Sequence, residues 1–161
     1  MRTRRKRDPR CVLTPDLRRY YSEGGSRSVF TVIELPVLSG YDFEVAFCED
    51  ILKRAPGHFE ALSLLGEAYA RRGQYEKGLE ADLKLTRMHP ESNAAYYNLA
   101  CSYALNARKD EALTALKRAV RLGYRDVEHL RSDRDLTILH GDKRFQRLIQ
   151  RLRREARKAG R

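Results

Sequence analysis

The chain has 161 residues, 34% of them charged and 42% hydrophobic. That is a length for one domain and not the composition of a disordered polymer. No apolar run approaches the ~18 residues of a membrane span, and the three cysteines, odd in number and without CxxC spacing, suggest neither a zinc site nor a disulfide frame. The formal net charge of +11 is uneven. Residues 1–28 carry nine basic and three acidic groups, residues 29–92 seven and eleven, and residues 93–161 seventeen and eight. A cytoplasmic, reducing setting is the default expectation.

Residues 1–28 are expected to be a basic, disordered leader. Its first ten residues, MRTRRKRDPR, have no apolar face and no apolar core behind them, so they do not form a signal peptide. They read as a solvated arm or as an electrostatic arm for nucleic acid or another acidic partner. No aromatic interleaves the run, which leaves base stacking unsupported. Residues 29–41 begin with VFTVIEL before Pro36. This β-branched and aromatic stretch is expected to be extended. It would pack on the rest of the chain as a cap, lie in a groove, or meet a second chain. The first is favoured; the last would make the protein a weak homodimer rather than a monomer. Residues 42–55 return to helical spacing. Asp42 is expected to cap the helix, Val45, Ala46, Cys48, Ile51 and Leu52 to form its inner face, and Pro56 to end it.

Residues 59–125 match themselves at a step of 34. Leu65 falls on Leu99, Gly66 on Ala100, Tyr69 on Tyr103, Leu79 on Leu113 and Leu85 on Ala119. Each copy holds two amphipathic helical patterns separated by a break. Small residues (Gly66, Ala100, Gly78 and Ala112) occupy positions where two helices can approach to the lower end of roughly 8–10 Å. Pro90 closes the first copy, and Glu91-Ser92-Asn93 offers a polar start to the next.

These residues resemble the tetratricopeptide repeat family. Tyr96, Leu65-Gly66, Leu99-Ala100, Tyr69, Tyr103, Ala112, Ala119 and Pro90 fit its pattern. Leu62 stands for an aromatic, Gly78 for Ala, Asp82 for the aromatic of the twenty-fourth position, and Tyr124 for the second Pro. The resemblance implies an all-α fold. Residues 42–125 would form a short right-handed α-solenoid of two full repeats and a preceding partial one. It also implies a concave groove lined by the first helix of each repeat. Carried over, the groove positions are Glu60, Ser63, Leu64, Glu67, Ala70 and Arg71, then Ala94, Tyr97, Asn98, Cys101, Ala104 and Leu105. Tyr97 is expected to offer a large stiff contact and Asn98 hydrogen bonds to a peptide. In members of the family that hold a chaperone's C-terminal carboxylate, a Lys/Asn clamp does so. Here Glu67 would repel that group, which disfavours the function.

Residues 126–161 are expected to form a C-terminal cap and basic helix. Asp133, Asp135, Leu136, Asp142, Arg144 and Phe145 resemble the closing segment of small bacterial tetratricopeptide repeat proteins. Ser132 or Asp133 would cap a short helix and Asp142 the last one. Phe145, Leu148, Ile149 and Leu152 would seal the open end, as terminal repeats require. Opposite them Arg144, Arg147, Arg151, Arg154 and Lys158 form one stripe, with Arg153 and Arg157 beside it. The stripe is either a solvated face or a docking surface for an acidic partner, RNA included.

No Gly-rich phosphate loop, GxSxG or HExxH motif occurs, and His58, His89, His129 and His140 read as turn or cap residues. No enzyme, metal or cofactor is expected. The reading is a non-enzymatic interaction module that takes a peptide or helix of a partner protein in its groove. The alternative is an RNA- or ribosome-associated accessory protein that binds through its basic ends.

Overall fold

The computed structural model describes residues 40–159. The expectations for the leader 1–28 and for residues 29–39, including a role in dimerisation, lie outside them. The described residues are all-helical, without a strand. The helices are α1 (Gly40–Arg54), α2 (Phe59–Arg71), α3 (Tyr75–Met88), α4 (Asn93–Leu105), α5 (Lys109–Arg121), α6 (Val127–Ser132), α7 (Thr137–His140) and α8 (Lys143–Ala159).

Helix α1 starts at Gly40, so the last two residues of the segment expected to be extended are helical. Asp42 is therefore not the residue before the helix. It lies in the first turn, where a carboxylate suits the exposed N–H groups, and it pairs with Arg72 at 2.8 Å. Four of the helices that follow, α2, α4, α6 and α8, start on side chains that accept an otherwise unpaired backbone N–H, whereas α3, α5 and α7 have no such cap. His58 Nδ1 accepts from Ala61, Ser92 Oγ from Ala95, Asp126 Oδ1 from His129 and Asp142 Oδ1 from Arg144. Neither Ser132 nor Asp133 is the residue that starts a helix: Asp133 ends α6, and α7 begins after Leu136. Ser132 Oγ donates back to the Glu128 carbonyl, and Asp133 Oδ1 accepts the N–H of Asp135 in a turn between α6 and α7.

Helices α2 and α3 form one hairpin, α4 and α5 the next, and α1 packs on α2 as α3 packs on α4. The first hairpin is close. A Cβ built on Gly78 would stand 3.1 Å from the carbonyl oxygen of Gly66. Both hairpins turn at the fifteenth position of the repeat with a left-handed residue, Gly73 (φ +70°) in the first and Ala107 (φ +58°) in the second.

The apolar stripes read from the spacing are inside. Leu62, Leu65, Ala68, Tyr69 and Leu85 are buried in the first repeat, and Leu113, Leu116, Ala119 and Val120 in the second. Each leucine so buried contributes roughly 1.5–3 kcal/mol. The face of α1 differs in one residue: Val45 and Cys48 are buried but Ala46 is exposed. Phe43 and Phe47 stack on each other at 6.0 Å and remain 65% and 53% exposed. At the other end Phe145, Leu148, Ile149 and Leu152 of α8 are buried with Leu130, Leu136 and Leu139 of α6 and the α7 segment.

Candidate functional site

The first helices of the two repeats, α2 and α4, lie side by side. Helix α6 and the turn after it take the next place. Between these elements opens a cavity of about 510 Å³. Ser63, Glu67 and Arg71 of α2 line it together with Tyr97, Asn98, Cys101 and Leu105 of α4. With Ala70, which also lines it, these are eight of the twelve groove residues expected from the repeat positions. Glu60 lies outside the lining, near the start of α2, 3.4 Å from His58. Leu64 and Ala94 are exposed elsewhere, and Ala104 is buried in the core.

Most of these side chains are engaged within the solenoid. Tyr97 is only 7% exposed. Its ring stacks on Tyr124 at 4.6 Å with 2° between planes, His129 lies 5.3 Å away, and its hydroxyl donates to Asp133. It is a wall pinned to the C-terminal segment rather than the large contact surface expected. Tyr124 occupies the position where the repeat pattern has proline, and stacking on Tyr97 is what it does there. Asn98 is half-buried and donates from Nδ2 to Ser63 Oγ at 2.8 Å, tying α4 to α2. Glu67 and Arg71 form an ion pair one helical turn apart, and the Arg71 guanidinium lies 5.6 Å from the Tyr41 ring.

The floor and far wall were not legible as a site. Asp82, on α3, is 3% exposed. Ser102 Oγ donates to its Oδ2 at 2.5 Å, while Oδ1 has no hydrogen-bond partner. Burial pushes its carboxyl up to about 7, opposed by the Ser102 hydrogen bond. Asp133 and Asp135 form the wall. Asp133 Oδ2 also accepts from Cys101 Sγ at 3.5 Å, and the thiol is pushed well up by burial and then by Asp133. Asp135 is raised by burial, then by Asp133 and Glu67. The carboxylates make the cavity acidic in a basic chain. Among the described residues no group of three His, Cys, Asp or Glu could hold a metal ion.

The basic stripe lies elsewhere. Arg144, Arg147 and Arg151 of α8 face Lys117 and Arg121 of α5 across a cleft of about 450 Å³. Arg154 and Lys158 continue along α8 beyond its lining. Arg144 is held by Asp110 at 2.8 Å and Asp142 at 2.9 Å, and Arg151 by Glu155 at 3.5 Å. The cations converge from two helices, although one helical stripe was all the spacing showed.

Paired helices at a 34-residue step, a groove on their first members and a sealing helix define a repeat-built interaction module. A family model for the tetratricopeptide repeat matches residues 46–85 and 83–126. The chain belongs to the tetratricopeptide repeat family, whose typical role is non-catalytic protein–protein interaction. It is also 34% identical over 88 residues to a chloroplastic protein of Arabidopsis thaliana. That match covers 53% of this chain and 26% of the relative, so the chain spans about a quarter of the relative's length. No helix among the described residues is long and apolar enough to cross a membrane.

Proposed function

We propose that the protein binds a peptide segment or helix of a partner protein in the cavity between α2, α4 and the α6–α7 turn, without catalysing a reaction. The observation that carries this reading is the convergence of eight repeat-defined positions on one cavity of about 510 Å³. Its walls are set by hydrogen bonds and stacking within the solenoid, so it is formed before a ligand arrives, which lowers the ordering cost of association. Charge at its rim would govern encounter and selection more than raw affinity.

Affinity capture with the full chain tests the reading. Ser63→Arg fills the cavity from a half-buried position on α2 and spares the pinned Tyr97. Partners retained by the wild type and lost by a folded Ser63→Arg variant, with or without nuclease, support it. Retention of every partner by that variant overturns it.

A second reading rests on a separate observation, the five cations around the α5–α8 cleft. They suit a phosphate backbone or an acidic partner surface. Partners held there would fall away with Lys117→Glu and Arg121→Glu. RNA bound there would also be lost steeply as salt rises, because condensed counterions are released on binding.

A further inference from the structure

The residue that fits the repeat least sits at the bottom of the groove. Asp82 occupies the twenty-fourth position of the first repeat; in the second repeat the same position is Leu116, fully buried among apolar neighbours. The hairpin therefore has no need of an acid there. The acid has room because Gly66 lacks a side chain: a Cβ on Gly66 would stand 2.9 Å from Asp82 Oδ1. At the matching place in the second repeat Ala100 carries that Cβ. The result is a lined cavity whose floor holds a carboxyl oxygen that is buried and unpartnered. Leaving such an oxygen unmet is costly to the fold.

A second carboxyl faces the same space. Asp133 is engaged by Tyr97, Cys101 and the Asp135 N–H, whereas Asp135 is exposed at the rim and is raised by burial and its acidic neighbours, with Arg71 opposing them least. Glu67 is already neutralised by Arg71. Asp82 below and Asp135 above are thus the lining carboxyls that neither an ion pair nor a full set of donors holds, in a chain whose net charge is +11. A neutral donor would meet them with the weaker kind of hydrogen bond, and an acidic ligand would be repelled.

We propose that the groove is a receptor for one cationic side chain of its partner, a lysine ammonium or arginine guanidinium, seated between Asp135 and the floor at Asp82. This rests on the groove reading above and names the chemistry it selects. The cation bonds Asp135 at the rim, and Asp82, whose Oδ1 is closed off beside Gly66, meets it by a turn of its side chain; charge-assisted bonds of this kind are the stronger ones.

Nuclear magnetic resonance titration of the full chain with capped pentapeptides, Ac-Ala-Ala-Xaa-Ala-Ala-NH2 with Xaa lysine, arginine, glutamine or glutamate, tests the proposal. The lysine and arginine probes should move the backbone amides of Glu67, Cys101, Ser102 and Asp135 saturably. The glutamine and glutamate probes should bind about tenfold more weakly or not at all. Asp135→Asn and Asp82→Asn, both nearly isosteric, should each weaken the lysine probe several-fold while leaving the remaining amide spectrum in place. Equal binding of the glutamine probe at the same amides leaves the groove standing and overturns the cation preference. No shift in the groove with any probe, joined to retention of all partners by Ser63→Arg, overturns both. Groove shifts that appear on concentrating the protein alone, with a doubled mass in light scattering, assign the receptor to a second copy and overturn a separate partner.

Discussion

The two repeats solve the same packing problem with different residues. In the second, Ala100 and Leu116 close the hairpin with apolar atoms, both fully buried. In the first, Gly66 and Asp82 hold the same places and leave a carboxyl oxygen unpaired beside the groove. The difference is a stability cost at one level and a ligand-facing group at the next. It separates what the solenoid requires from what its groove uses.

Exchanging the residues should expose that separation. Leu116→Asp places the acid of the first repeat into the second, where Ala100 leaves no space for it and Leu113 and Ala119 are apolar neighbours in the core. A loss of about 4 kcal/mol or more is expected, read as a collapse of the urea midpoint. A mild loss would mean that the second hairpin can also shelter a carboxyl.

The Asp82 carboxyl should also leave a mark on the pH dependence. Its value is raised from 3.8 to about 7 in the folded chain, so the folded state holds a proton that the unfolded state releases. Stability from this group is full below about pH 4 and falls as pH rises to about 7, by on the order of 4 kcal/mol. Asp142 acts in the opposite sense: the Arg144 guanidinium holds its carboxyl well below the usual range, so its contribution is lost as pH falls below about 4. Urea titrations at pH 5 and pH 8 should show higher stability at pH 5. Asp82→Asn should flatten the difference; an unchanged slope in that variant would assign the effect to other groups.

A smaller effect should come from rebuilding the first hairpin on the second. Gly66→Ala alone drives a Cβ against Asp82 Oδ1. Asp82→Leu alone faces a residue with no Cβ to pack on. Together they reproduce the Ala100–Leu116 pair, so the double variant should exceed the sum of the singles by about 1–2 kcal/mol. Additive behaviour would show that the two positions do not share one space. Smallest is the turn. Ala107 stands at φ +58° where the first repeat has Gly73 at +70°. Ala107→Gly should stabilise by up to about 1 kcal/mol, seen as a rise of a few degrees in Tm.

The repeat and its sealed end were legible because both rest on periodicity. Leu62, Leu65, Leu113 and Leu116 fall at spacings that put them on inner faces, and Phe145 to Leu152 do the same for α8. The list of groove positions came from the repeat register and fell largely on one cavity. The far wall was hidden because it depends on the chain leaving the repeat. Asp133 and Asp135 were visible as part of a closing motif, but only the turn after α6 brings them opposite Glu67 and Cys101. Asp82 was visible as a departure from the pattern, and its neighbour Gly66 as a small residue. That one makes room for the other is a matter of two helices in register, which no single helix records. Tyr97 was misjudged for the same reason: Tyr124 and Asp133, from beyond its own helix, bury it.

The most direct test compares the urea midpoint with and without the lysine pentapeptide, in the wild type and in Gly66→Ala/Asp82→Leu, at matched ionic strength. A ligand that binds only the folded state raises stability by an amount set by its concentration over Kd. The wild-type midpoint should rise with lysine peptide and stay put with the glutamine peptide, and the double variant should respond to neither. An equal rise in the double variant would contradict the assignment of the groove floor as a cation receptor.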